Sequence, residues 1–336
     1  MKRIVILTTG GTIAMSKSDA AGGAVPALTG TDFVDALPRD LAEIRAETFS
    51  NLPSAQFTLD HIWNLSRRVA ALVSDDAVDG VIVTHGTDTL EESAYLCDLT
   101  IDSRKPIVFT GAMRTASEIG YDGLANLAAA VRVAASDVAR GIGTLVVFND
   151  EIHAARDVTK THTTALDTFQ SPEFGALGRV DYDGVVIARQ PARREFIPAT
   201  RLESNVHLLK LVVGMSDGLL EYLVETVGAR GIVLETLGGG RVPPAWLPTI
   251  ERAMMGRQRR AAKGSALWAT HQNGCAVVVT SRVGAGRTTD RYGYIGAHRD
   301  LARIGCWFAG GLNGQKARIK LMAALGAGSG AEAWTA

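Results

Sequence analysis

Three stretches of the chain deliver polar groups directly after apolar runs. Residues 4–7 lead into Thr8-Thr9-Gly10-Gly11-Thr12-Ile13-Ala14, residues 81–83 into Thr84-His85-Gly86-Thr87-Asp88-Thr89, and residues 107–109 into Thr110-Gly111-Ala112-Met113-Arg114. A hydroxyl becomes a useful nucleophile only when a neighbouring group takes its proton. Thr12, after two glycines, is the candidate nucleophile. Thr87 and Asp88 offer a second hydroxyl and an anion suited to a cationic substrate group. Lys160, in the polar run Thr159-Lys160-Thr161-His162, offers an amine that can accept a proton once it is desolvated.

Each of these residues also has a plain structural reading. The glycines and Thr12 could form a phosphate-binding or merely structural turn. Asp88 with Glu91 resembles the capped start of a helix, and a loop lysine is normally a solvated charge. His85 and His162 invite a general-base assignment, but His85 follows a buried strand with no carboxylate spaced to orient it, so it reads as a satisfied buried histidine. There is no Walker pattern, no G-x-G-x-x-G at the first turn and no H-E-x-x-H. Nucleotide binding and zinc chemistry are therefore poor fits.

The elements that must position these groups follow from periodicity. Apolar runs at 4–7, 81–83, 107–109 and 145–148, with a helical pattern over 124–138 that Asp122 could cap, read as strands of a doubly wound parallel sheet. Such sheets bind ligands beyond their carboxyl edge, so the three strand-end turns should share one site. Residues 189–200 carry two prolines and no sustained period, which suggests a linker. After it, strands are expected at 208–213, 231–234 and 276–279, a helix at 219–227, and a glycine turn at 238–240 leading to a helix whose first turn tolerates proline. The expected division is a catalytic α/β domain over 1–190, a linker over 191–205, and a smaller α/β domain over 206–336.

Composition agrees with a two-domain enzyme. The 336 residues, 46% of them hydrophobic, can bury a large core and exceed the usual length of one domain. Thirty-five basic residues balance thirty-five acidic ones, which argues against nucleic acid or a membrane surface as partner. Cys97, Cys275 and Cys306 form neither a metal pair nor a disulfide framework, so reduced thiols and a cytoplasmic location are expected. No signal-like or membrane-length apolar segment is found at the amino terminus.

The motifs together are more specific than any one. Thr9-Gly10-Gly11-Thr12-Ile13-Ala14, Thr84 to Thr89 with Glu91-Glu92, Gly111-Ala112-Met113-Arg114 followed by Asp122-Gly123 and Asn126, and the Lys160 segment with Phe169, Ser171 and Gly175 occur in one order. In that order the chain resembles the bacterial-type L-asparaginases over essentially its whole length, and Gln315-Lys316-Ala317-Arg318 resembles their closing helix. The resemblance implies a flavodoxin-like larger domain followed by a smaller α/β domain. It implies an amidohydrolase that releases ammonia from L-asparagine without metal or organic cofactor, and a homodimer or homotetramer with sites at an interface. It assigns Thr12 as nucleophile and Thr87, Asp88 and Lys160 as its supporting triad. Ser54 matches the residue holding the substrate α-carboxylate, and Ala55, Gly86, Ala112 and Met113 complete the expected substrate contacts.

Three features depart from the family pattern. The segment after the nucleophile lacks the usual tyrosine, the first in the chain being Tyr95. The proton of Thr12 should then pass through Thr87 and Lys160, through a water, or to a tyrosine from elsewhere. Ala55 stands where many members have glutamine, and Gly238-Gly239-Gly240 lacks an asparagine, leaving Asp290 as the nearby carboxylate of that domain. Alternatives of the same fold would hydrolyse glutamine, D-asparagine, an N-substituted asparagine or a cyclic imide. An alternative of another class is a catalytically silent binder of small amides.

Overall fold

The computed structural model describes residues 1–18, 22–191, 194–255 and 274–334. The expected linker residues Ala192 and Arg193, and Asp19 to Ala21 of the segment after the nucleophile, lie outside them. The chain divides into two compact units, Met1–Phe196 and Ile197–Ala336.

In the first unit the strands are β1 (Arg3–Thr8), β2 (Met15–Ser18), β3 (Gly23–Pro26), β4 (Glu43–Thr48), β5 (Gly80–Thr84), β6 (Ile107–Thr110), β7 (Thr144–Phe148), β8 (Glu151–Ala154), β9 (Thr159–Lys160), β10 (Phe169–Gln170), β11 (Gly178–Asp181) and β12 (Gly184–Ile187). The helices are α1 (Gly30–Ala36), α2 (Leu59–Ser74), α3 (Leu90–Thr100) and α4 (Gly123–Ala135). Eight strands form one sheet in the order β12-β11-β8-β7-β6-β5-β1-β4. Strands β4, β1, β5, β6 and β7 are mutually parallel, and β8, β11 and β12 extend the sheet antiparallel. Taken alone, the five parallel strands run 2-1-3-4-5, the flavodoxin-like order, in which the switch point lies between the first and third strands. Here those strands are β1 and β5.

The alternation of side chains along these strands explains why helices cover both faces. Ile4, Ile6, Ile82, Val108, Leu145 and Val147 pack with Phe33 of α1 and Leu127, Ala130 and Val131 of α4. Val5, Leu7, Val81, Val83, Phe109 and Val146 pack with Leu65, Val69 and Leu72 of α2 and with Ala94 of α3. Val81, Ile82 and Val83 are fully buried, each side chain contributing about 1.5–3 kcal/mol of burial. Helix α2 begins with a reciprocal cap, since Thr58 Oγ1 accepts from His61 N–H at 3.3 Å and His61 Nδ1 accepts from Thr58 N–H at 3.1 Å.

Some elements differ from the sequence expectation. Helix α4 stops at Ala135 because Ser136 is extended, and a separate one-turn 3-10 helix covers Asp137–Ala139. Asp122 occupies the cap position of α4, but its carboxylate accepts from Met113 and Arg114 N–H instead of capping the helix. Asp88 does not cap α3 either: the cap position is Thr89, with no side-chain capping bond.

The second unit carries β13 (Val206–Lys210), β14 (Gly231–Thr236), β15 (Ala276–Ser281) and β16 (Trp307–Phe308) in a parallel sheet of that order. Its helices are α5 (Gly218–Tyr222), α6 (Leu247–Met255), α7 (His298–Ile304) and α8 (Gly314–Gly326). Leu209, Ile232, Leu234, Val277 and Val279 pack with Leu220, Trp246, Ile250 and Leu301. The helix expected over 219–227 is α5 continued by a π-turn, Leu223–Val227, which Gly228 ends in the left-handed conformation. The first strand is β13, which ends at Lys210, short of the expected Val213. Among the described residues no helix is long and apolar enough to cross a membrane.

Candidate active site

The parallel register sets the site. Thr8 of β1 lies beside Thr84 of β5, which lies beside Thr110 of β6. The three strands therefore end at one level, and the turns after them emerge together at the switch point. Thr9 Oγ1 donates to Thr84 O at 2.9 Å and Thr110 Oγ1 to Val147 O at 2.8 Å, so these strand-end hydroxyls serve the backbone. The free chemistry is left to the residues beyond them.

Backbone approach then brings the turns into contact. A Cβ at Gly11 would lie 2.5 Å from Cα and N of Gly86, and a Cβ at Gly86 would lie 2.6 Å from Ser54 Oγ. Thr12 and Thr87, each one residue further along, are thus carried by turns that touch, and Ser54 backs the second turn. Thr12 opens a one-turn 3-10 helix, Thr12–Ala14, and is half-buried. Ser54 is buried at the start of another, Ser54–Gln56, whose Ala55 is exposed. Thr89 Oγ1 donates to Ser54 O at 3.1 Å, tying that turn to the start of α3. Ala112 is fully buried and Met113 half-buried at the end of β6.

Lys160 completes the cluster from a strand, not from the loop its polar sequence suggests. Its Nζ lies 2.9 Å from Thr87 Oγ1 and 2.9 Å from Asp88 Oδ1. The lysine side chain is 17% exposed and the aspartate 64%. Lys160 pairs with Phe169 in the β9–β10 hairpin, and Phe169 packs on Phe148 of β7 at 4.4 Å between ring centroids. Thr159 Oγ1 donates to Glu91 Oε1 at 3.1 Å. The amine is therefore presented by a short hairpin fixed on both sides. Of the candidates, Thr87, Asp88 and Lys160 share direct bonds, and Thr12, Gly86 and Ser54 join them through backbone proximity.

The histidines are structural. His85 is buried, with Nδ1 donating to Gly86 O at 2.8 Å and Nε2 against Ser93 Oγ at 2.9 Å. Burial pushes its pKa down to about 4, so the ring is neutral near neutrality and holds the Gly86 turn. His162 Nδ1 accepts from Thr164 and Ala165 N–H, each at 3.0 Å, and closes a turn. In the second unit, Asp290 lies 3.6 Å from Arg299, and Gly239 O accepts from Thr289 N–H at 2.9 Å.

Tyr121 is not among the residues expected at the site, yet its Oη donates to Ile13 O at 2.7 Å, one residue beyond Thr12. The signal available was a tyrosine directly before Asp122-Gly123. Its reach to the first turn depends on a contact across more than a hundred residues, which no local pattern encodes. Tyr95, the other early tyrosine, is buried in α3.

Comparison with known proteins agrees with this architecture. The asparaginase N-terminal family matches residues 3–193, and the glutaminase/asparaginase C-terminal domain matches residues 205–335. The chain is 34% identical to the L-asparaginase of Bacillus licheniformis over 96% of this chain and 95% of that one. It is 36% identical to L-asparaginase 2 of Bacillus subtilis, covering 97% and 83%, and 37% identical to the probable periplasmic L-asparaginase of Haemophilus influenzae, covering 97% and 89%.

Proposed function

The chain belongs to the asparaginase family, and on that premise we propose that it hydrolyses the side-chain amide of L-asparagine through an acyl-enzyme on Thr12. The observation that carries the reading is Lys160 Nζ at 2.9 Å from both Thr87 and Asp88, beside the turn that bears Thr12.

An amide is a poor electrophile, so the nucleophile must lose its proton as it attacks and the resulting oxyanion must meet donors already in place. Thr12 Oγ1 attacks the amide carbon while its proton passes by way of Thr87 to the amine of Lys160. Asp88 stabilises the ammonium so produced and, being largely exposed, also faces the substrate α-ammonium. Backbone N–H groups of the Gly86 to Asp88 turn receive the oxyanion. The carbon–nitrogen bond breaks as the leaving nitrogen takes that proton from the Lys160 ammonium by way of Thr87, releasing ammonia and leaving the relay free to accept another. Water, deprotonated by the same relay, then cleaves the ester to give aspartate and free Thr12. Ser54, backed against Gly86, holds the substrate α-carboxylate, with Ala55, Ala112 and Met113 bounding the pocket.

We further propose a homodimer or homotetramer as the active form. Buried Cys97, Cys275 and Cys306, all free thiols, support a reducing compartment such as the cytoplasm, whereas the Haemophilus influenzae relative is named periplasmic. The test is ammonia release by the purified protein from L-asparagine, glutamine, D-asparagine, N-acylated asparagine and cyclic imides. L-asparagine should be hydrolysed with the highest kcat/KM. Preference for another amide would reassign the substrate, and no release from any would leave a silent binder.

A further inference from the structure

The turn that presents Thr12 is held from outside its own hairpin. The segment between β6 and α4 crosses the first residues of that hairpin and bonds to them three times: Tyr121 Oη donates to Ile13 O at 2.7 Å, Ala116 N–H to Met15 O at 2.9 Å, and Lys17 N–H to Ser117 Oγ at 2.8 Å. The segment is itself fixed. Glu118 accepts from Thr115 N–H and Oγ1 at 2.5 and 2.9 Å, and Asp122 accepts from Met113 and Arg114 N–H and from Asn126 Nδ2. Asn126 in turn donates to Gly111 O at 3.1 Å at the end of β6.

Of the three bonds, only the phenol's reaches the 3-10 turn that contains Thr12. Gly123 makes room for it, because a Cβ there would lie 2.3 Å from Tyr121 Oη and 2.4 Å from its Cζ. Burial raises the Tyr121 pKa, so the hydroxyl stays protonated and keeps donating across the neutral range. No tyrosine precedes position 95, so no phenol is available from the hairpin itself.

We propose that Tyr121 is a positioning residue for the nucleophile: its hydroxyl fixes the Ile13 carbonyl and with it the orientation of the Thr12 side chain. This rests on the assignment of Thr12 as nucleophile. Tyr121 moves no proton in the reaction. Its role is geometric, and a nucleophile displaced by a fraction of an ångström or more loses much of its rate.

The test is Tyr121→Phe, which keeps the ring and its packing and removes only the donor. The expected result is a fall in kcat of about 10–100-fold with KM within about twofold, a pH–rate profile of unchanged shape, and faster hydrogen exchange in peptides spanning residues 12–18. Full kcat, or a loss expressed only in KM, would overturn the proposal. So would the loss of a limb of the pH profile, which would make the phenol a proton carrier. Thr12→Ala measured alongside separates the premises: activity in that variant refutes the nucleophile, whereas a dead Thr12→Ala with a fully active Tyr121→Phe refutes only the positioning role. If Tyr121→Phe were poorly folded, hydrogen exchange over the whole chain would show it, and exchange unchanged at residues 12–18 in a folded variant would count against the proposal.

Discussion

Gly11→Ala tests how tightly the two turns must meet. Gly11 has φ +84 and ψ 179, a region almost confined to glycine that costs a residue with a Cβ about 1–3 kcal/mol. Its new methyl would lie 2.5 Å from Cα and N of Gly86, about 0.9 Å inside the 3.4 Å of ordinary contact. Gly86 has no room to retreat, because it is backed by Ser54, with a Cβ at 86 only 2.6 Å from Ser54 Oγ. The strain must therefore separate the turns carrying Thr12 and Thr87 by close to an ångström. Overpacking of this kind costs about 1–3 kcal/mol, giving a total destabilisation of about 2–6 kcal/mol with the conformational cost. Misplacement on this scale lowers kcat/KM by about 100-fold. Chemical denaturation and steady-state ammonia release would measure the two effects, with Gly184→Ala as control because nothing lies within 4 Å of its Cβ. A stable, fully active Gly11→Ala protein would refute the claim that the contact of the turns sets the geometry.

Lys160→Met and Thr87→Val should each slow acylation by about 10²–10⁴-fold, and the double variant should be little worse than either, because the pair acts as one unit. Additive losses in rapid-quench kinetics would show two independent roles. His85 gives a pH prediction. Its pKa falls from 6.5 unfolded to about 4 folded, so the unfolded chain binds the extra proton between those values. The stability tied to neutral His85 is thus complete above about pH 6.5 and is lost as pH falls to 4, by up to about 3 kcal/mol. Asp98, pushed up to about 6 by burial, acts in the opposite sense, so the informative quantity is the difference between wild type and His85→Gln. Denaturation midpoints should show a flatter acid slope in the variant, and equal slopes would contradict the neutral buried ring.

Much of this structure is written locally in the sequence. The uninterrupted apolar runs at 81–83 and 107–109 announce strands buried on both faces, and the turns after them hold the groups that converge. Strand β4 was invisible because Glu43-Ile44-Arg45-Ala46-Glu47-Thr48 is an edge strand whose charged side chains reach solvent. Lys160 read as a loop residue for a related reason: β9 is two residues long and exists through its pairing with Phe169, a partner that local pattern does not name. Asp88 looked like a helix cap because a carboxylate at the start of a helix usually is one. Its oxygen is taken by Lys160, seventy-two residues away in the chain. Tyr121 was missed for the same kind of reason. Residue types and strand ends are local information, while the bonds that turn them into a site are tertiary.

Every step proposed above depends on Thr12 carrying the acyl group. Acid-quenched protein mixed with L-asparagine, digested and read by mass spectrometry, tests it most directly. The expected result is an adduct equal to asparagine less ammonia on the peptide containing Thr12, absent from Thr12→Ala, which should release no ammonia while keeping the wild-type unfolding midpoint. An adduct on another residue, or steady ammonia release by folded Thr12→Ala, would contradict it.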